Sequence, residues 1–429
     1  MELLGYMAAA VILGVGAIFL VSGELSFISG FSKSGRYILA FFLSFGVLGL
    51  SVKTVALFLL QNNPVLDRAV ILGREIADNK PAQDVAARGL VYDNRGRHWR
   101  TLPPLSVQDN LLMVQLGQRL FFDRRLSRNQ TVSCASCHDI SKGGDDARSV
   151  SVGVDGLHGN RNAPSVINAA YMKKLFWDGR AKSLEDQAGG PLTNPVEMAI
   201  ASKEKVVEIV QADANYRDLY QQVFGTNNLE FDSIARAIAA FERTLISNDA
   251  PYDRFVRGDK NALNMQQMKG MMLFDQLGCR NCHMDPLFSV AGIDQKSPYR
   301  PFPLFKGSPY VSKHKLEEDK GRNKKGVWRV PSLRNVEHTA PYFHNGSVDT
   351  LEEAVRVMAT AQLGLKIEDK KEDGLTVLYE KDGPVLLARR KSLNEDEISQ
   401  IVSFLKSLSG TPLNISNPWS RKIEAASAM

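Results

Sequence analysis

The stretch Cys134-Ala135-Ser136-Cys137-His138 returns as Cys279-Arg280-Asn281-Cys282-His283, and the two copies use every cysteine of the 429-residue chain. Two thiols three positions apart on one helical turn can add to the two vinyl groups of a haem, and a histidine directly after them faces the iron as an axial ligand. The repeat therefore reads as two covalently held c-type haems, each asking for a small helical domain to wall off its porphyrin. A zinc ribbon places its cysteine pairs about 15 to 20 residues apart, whereas these pairs are far more distant. Neither a zinc ribbon nor a pair of structural disulfides needs His directly after the second Cys both times.

The hydrophobic fraction of 44% and charged fraction of 23% are those of a globular protein. The length suits two or three domains. A net charge of +6 is spread along the chain, which argues weakly for an acidic partner or anionic lipid and not for nucleic acid.

Residues Leu3 to Gly23 carry no charge, a length close to the about 20 residues a membrane-spanning helix requires. A cleaved signal peptide is the rival reading, but Glu2 is acidic and no cation precedes the apolar run. A second apolar stretch, Tyr37 to Leu60, is interrupted by Lys53. At 1.5 Å per residue, Lys53 lies about 10 Å from the end of that stretch, within snorkelling range of the interface; a functional intramembrane lysine is the sharper alternative. Lys33 and Arg36 favour a cytoplasmic loop between the spans, although Arg68 and Arg74 weaken the bias. Two spans put both ends on one side. Haem attachment to this kind of motif occurs outside the cytoplasm in bacteria, so the haem part is expected in the periplasm, tethered to the inner membrane.

The expected organisation is a membrane anchor at 1–62, a linker at 63–105, an N-terminal cytochrome c domain at 106–250, a C-terminal one at 251–410 and a tail at 411–429. In the linker, Asp93 to Gly96 reads as a turn, Pro103-Pro104 as a stop and His98 as an exposed side chain, with no chemistry evident. A helix is expected from near Ser106, with Asp109 in its first turn and Leu112, Val114, Leu116, Leu120 and Phe121 facing a core. Met265 to Leu277 reads as its counterpart before the second motif, with Met268, Met271, Met272 and Phe274. The fold class is mainly α: two cytochrome c-like haem domains preceded by two transmembrane helices.

Several further stretches resemble the bacterial dihaem cytochrome c peroxidases and the related MauG-type enzymes. They are Leu116 to Asp123, Arg161 to Val166, Phe176 to Arg180, Pro331 to Val336 and Thr339 to Gly346, and the similarity covers about residues 106 to 410. The resemblance implies that the amino-proximal haem is the peroxide site, with His138 as proximal ligand. The other haem would be the electron entry site, ligated by His283 and Met358. A thioether opposite imidazole raises the potential, as suits a haem that collects electrons; in MauG-type enzymes a tyrosine takes this place. Glu197 and Gln187 match the distal acid and amide, which would shuttle the peroxide proton and orient the substrate. Trp177 matches the indole between the haems. Asn162, Thr339 and Pro341 match residues that supply oxygen ligands to a calcium ion. His344 matches a family position near the haems whose role is open.

One departure stands out. Many dihaem peroxidases carry a histidine soon after the first haem motif that caps the resting peroxidatic iron. The aligned residue here is Val154, and the nearest histidine is His158. Either a shifted loop lets His158 cap the iron, or the site is permanently open; the open site is the favoured expectation.

The resemblance implies a membrane-anchored hydrogen peroxide reductase that draws electrons from a cytochrome c, a cupredoxin or a quinol. A MauG-like oxidase of an organic or protein substrate and a non-enzymatic dihaem electron-transfer cytochrome are the alternatives. Family members often dimerise, which leaves a homodimer open. The charged insertion from Ile367 to Lys391 reads as a solvated hairpin, with donor docking as the sharper alternative.

Overall fold

Asn110 opens the first long helix. Its side chain accepts a hydrogen bond from the Leu112 amide at 2.8 Å, and the helix runs Leu111–Phe121. The start is therefore Leu111 rather than the neighbourhood of Ser106. Asp109 is drawn away from the cap by Arg243, whose Nε lies 2.5 Å from its carboxylate. The computed structural model describes residues 99–419 except 293–297, 370–372, 381–382 and 391, and before that only Ala40, Phe41 and Ser44, which are helical. The two apolar stretches, Leu3–Gly23 and Tyr37–Leu60 with Lys53, otherwise lie outside the described residues, as do Arg68, Arg74 and His98. Among the described residues no helix is long and apolar enough to cross a membrane.

Both haem motifs belong to one compact unit. Within it the same helical crossing is built twice. Leu111–Phe121 packs on Phe231–Glu242, and Met265–Gln276 packs on Glu395–Lys406. Each crossing closes on a glycine. A Cβ on Gly117 would stand 1.8 Å from the Ala237 carbonyl oxygen, and one on Gly270 1.8 Å from that of Gln400. Only hydrogen at these positions lets the backbones approach so closely. In the second pair, Asn264 and Asn394 cap the two helices with reciprocal bonds to Gln267 and Glu397.

The first half is held by Leu116, Leu120, Phe121, Leu126, Tyr216, Tyr220, Ile234 and Phe241, all buried. Leu413, Ile415 and Trp419 of the C-terminal tail pack on that same core, and the Trp419 indole donates to the Arg119 carbonyl at 3.1 Å. The second half is centred on Tyr252, Phe274, Phe288 and Phe404, whose rings meet edge-on or tilted at 5.0 to 6.3 Å. Trp99, at the end of the expected linker, completes this cluster and carries the Arg280 guanidinium 3.6 Å above its ring. Arg100 donates its amide to Asp285 at 2.7 Å. That end of the linker is thus anchored to the second half through aromatic burial and a cation over an aromatic face.

Strands are few and short. Tyr299–Pro301 pairs antiparallel with Val327–Arg329, placing Tyr299 opposite Arg329. The insertion after Ile367 forms an antiparallel hairpin from Asp373–Glu380 and Gly383–Arg390.

Candidate functional site

The first cysteine pair sits on a single helical turn, Cys134–Cys137; in the second pair Cys279 opens the 3₁₀ turn Cys279–Asn281, which follows Gly278 at φ 84°, and Cys282 caps its end. In both copies the histidine amide donates back to the first cysteine's carbonyl, His138 to Cys134 at 3.0 Å and His283 to Cys279 at 2.9 Å. Each imidazole Nδ1 lies 3.1 Å from a backbone carbonyl, that of Gly144 for His138 and that of Phe288 for His283. A carbonyl acceptor on Nδ1 fixes the tautomer and leaves Nε2 as the metal-binding atom. Burial lowers the pKa of both histidines, that of His283 to about 4, so both rings are neutral.

The Cys137 and Cys279 thiols are not poised for redox chemistry of their own. Burial pushes Cys137 up to about 11 and Cys279 up to about 12, the opposite of an activated thiolate.

A cavity of about 710 Å³ extends from one motif to the other, inside the range of cofactor pockets. Its walls include Cys134, Cys137, His138, Cys279, Cys282 and His283. Gln187, Glu197, Trp177 and Met358 reach the same cavity, as do Asn162, Thr339, Pro341 and His344. His158 does not; it is exposed on the loop outside. The donor set suits two haems, with two thiol pairs, two histidines carrying free Nε2 atoms and a thioether all opening onto one space.

Local folding places the polar residues. Gln187 lies on the helix Leu184–Thr193, started by Ser183, whose hydroxyl accepts from the Asp186 amide. Glu197 follows the turn at Asn194-Pro195, and its carboxylate accepts from Asn194 Nδ2 at 2.7 Å. Burial raises the Glu197 pKa, opposed by the charge of Arg180 and by the Asn194 hydrogen bond. The Val154 loop is clamped to this segment. The Val154 amide donates to the Glu197 carbonyl at 2.9 Å, and a Cβ on Gly153 would fall 2.1 Å from the Val196 carbonyl oxygen. Val154 is fully buried beside this segment without lining the cavity, and His158 is exposed.

Met358 begins a π-helical turn, Met358–Gln362, that continues the helix Leu351–Val357. Such turns often mark functional positions, because the extra residue redirects side chains.

Where the two halves meet, Trp177 donates its indole N–H to the Asn162 carbonyl at 2.9 Å. Its ring meets His344 edge-on at 6.4 Å, and His344 stacks on Trp328 at 4.0 Å between centroids. Arg161 lies over Trp328 and pairs with Asp178 and Asp319. Burial lowers the His344 pKa to about 4, so this imidazole too is neutral. Asn162 Nδ2 donates to the Arg148 carbonyl at 2.8 Å, which leaves its Oδ1 available to a cation. Sequence reasoning missed Trp328 and Arg329, whose importance arises only from the meeting of distant segments.

The family described as di-haem cytochrome c peroxidase matches residues 112–261. The chain is 39% identical to the cytochrome c551 peroxidase of Nitrosomonas europaea over 306 residues, covering 70% of this chain and 81% of that protein. It is 32% identical to the methylamine utilization protein MauG of Methylophilus methylotrophus, covering 73% of this chain and 88% of that one. Among solved structures, a MauG-like protein associated with microbial copper homeostasis superimposes with a TM-score of 0.60 at 28% identity, over 75% of this chain and 98% of that one. The chain belongs to the dihaem cytochrome c peroxidase and MauG family and holds two covalently bound c-type haems.

Proposed function

We propose that the protein reduces hydrogen peroxide to water, H₂O₂ + 2 e⁻ + 2 H⁺ → 2 H₂O, at the haem attached to Cys134 and Cys137. The observation that carries this reading is the convergence of Glu197 and Gln187 on the His138 cavity while Val154 is buried and His158 lies outside. The bound haem supplies the redox-active iron at which the peroxide O–O bond is cleaved. Glu197 takes the proton from the inner peroxide oxygen on its carboxylate and delivers it to the outer one. Gln187 orients the substrate. Asn194 holds the Glu197 carboxylate in place.

The haem at Cys279 and Cys282 would be held by His283 and Met358 and would supply the electron-entry chemistry, with Trp177 on the wall of the shared cavity. The donor is a small protein, a cytochrome c or a cupredoxin, or else a quinol. The stretches Leu3–Gly23 and Tyr37–Leu60 anchor the chain in the inner membrane, with the haem part in the periplasm. A calcium ion held by oxygens of Asn162, Thr339 and Pro341 would tie the two halves together, and chelation would then lower thermal stability. The halves follow the boundaries 106–250 and 251–410. A MauG-like oxidase is the second reading, and Met358, where MauG-type enzymes use tyrosine, weighs against it.

Steady-state peroxide consumption with a reduced small cytochrome as donor tests the proposal. Turnover that falls about 10²- to 10⁴-fold in Glu197→Gln, with both haems still attached, supports it. A holoenzyme that leaves peroxide untouched overturns it.

A further inference from the structure

Arg280, Arg329 and Arg334 are the buried arginines among the described residues. Arg280 is neutralised by Asp285 at 2.5 Å and Arg334 by Asp253 at 2.5 Å. Arg329, 5% exposed, makes no ion pair among the described residues. Its Nε donates to the Phe176 carbonyl at 2.8 Å and its backbone amide to that of Trp177 at 2.9 Å. A long contact of 3.4 Å from Nη1 to the Val330 carbonyl is its other acceptor. The titratable groups that act on it are Asp178, already committed to Arg161 and Arg180, and the neutral Tyr299, whose hydroxyl donates to the Gly179 carbonyl.

A buried charge without a counter-ion is strongly unfavourable, and proteins resolve such burial by pairing. Burial lowers the Arg329 pKa to about 10, which still leaves the side chain a cation at neutral pH. Arg329 lines the haem cavity. It is placed there by the Tyr299–Arg329 strand pair and by its bonds to the Phe176-Trp177 segment, at the junction of the two haem sites. The missing anion has a candidate source, since each haem would bring two propionate carboxylates.

We propose that Arg329 is the buried counter-ion of a haem propionate at the junction between the two haem sites, and that it tunes the reduction potential of that haem. The planar guanidinium suits a carboxylate, with charge-assisted hydrogen bonds of about 2.7 to 2.9 Å. This inference rests on the two bound haems and is independent of the peroxidase reading. A unit charge held about 10 Å from a metal, at an effective dielectric of about 20, changes an oxidised-to-reduced ratio roughly tenfold. Removing a cation stabilises the oxidised iron.

The test is a spectroelectrochemical titration of the holoenzyme at pH 8, where a propionate is ionised. In Arg329→Gln, with haem content still two per chain, one midpoint should fall by about 59 mV, the equivalent of tenfold for a one-electron couple. Arg329→Lys, which keeps the cation, should stay within about 18 mV of the wild type, the equivalent of twofold. Midpoints in Arg329→Gln that both stay within about 18 mV of the wild type overturn the proposal. Should that variant fail to mature, a holoenzyme structure decides. Arg329 within hydrogen-bond distance of a propionate oxygen supports the proposal, and more than about 4 Å from every propionate oxygen refutes it.

Discussion

Gly153→Ala tests how tightly the distal loop positions the acid. The added Cβ would lie 2.1 Å from the Val196 carbonyl oxygen, 2.5 Å from that of Glu197 and 2.8 Å from the Glu197 Cα. All three are backbone atoms, so no side-chain rotation relieves the clash. Such contacts rarely fall below 3.0 Å, so the two segments must separate by about 0.9 Å, the difference between that limit and the observed 2.1 Å. A misplacement of about 1 Å near reacting groups costs on the order of 10²-fold in rate. The strain itself should cost about 1 to 3 kcal/mol of stability. The assay is kcat for peroxide reduction beside haem content and thermal unfolding. The kcat should fall about a hundredfold with both haems attached and donor oxidation by the other haem unchanged. A variant with wild-type kcat and a lowered melting temperature would show that the Gly153 contact bears on stability alone, and the positioning argument would fail.

Glu197→Gln should also remove the acid limb of the pH–rate profile. Burial raises the Glu197 pKa, so the carboxylate needed to accept a proton is lost as pH falls through a value above the ordinary one; an acid limb that survives the substitution would assign it to another group. Met358→Leu should lower the midpoint of the second haem by a sizeable part of the about 0.8 V that axial ligands span, read by potentiometric titration. An unchanged midpoint would remove Met358 as a ligand. Gly270→Ala, which places a Cβ 1.8 Å from the Gln400 carbonyl oxygen, should destabilise the second half by at least about 1 to 3 kcal/mol in denaturant unfolding, because the helices cannot keep their separation.

Covalent chemistry explains what could be read from the chain. Thioether attachment requires two cysteines and a histidine at one spacing, so the haem sites are local in sequence and both histidines occupy equivalent places. The helix before each motif was legible from its apolar period; its start at Leu111 was not, because Asp109 answers to Arg243, a partner far away in the chain. Trp99 looked like linker for the same reason, since its partners Tyr252, Arg280, Phe288 and Phe404 are spread over the second half. The distal acid, amide and Met358 came from resemblance, as no periodicity marks a side chain that faces a cofactor. Trp328 and Arg329 had no signal of either kind: their surroundings exist only after the 327–331 segment meets Phe176 and Trp177.

In the proposed mechanism the peroxidatic iron needs no release of a capping histidine before it meets substrate, since Val154 is buried beside Glu197 and His158 stands outside the cavity. Electron paramagnetic resonance of the fully oxidised holoenzyme measures this directly. The expected result is a high-spin iron beside one low-spin His/Met haem, and turnover on addition of peroxide without prior half-reduction. Two low-spin irons, one of which becomes high-spin only on half-reduction, would contradict it.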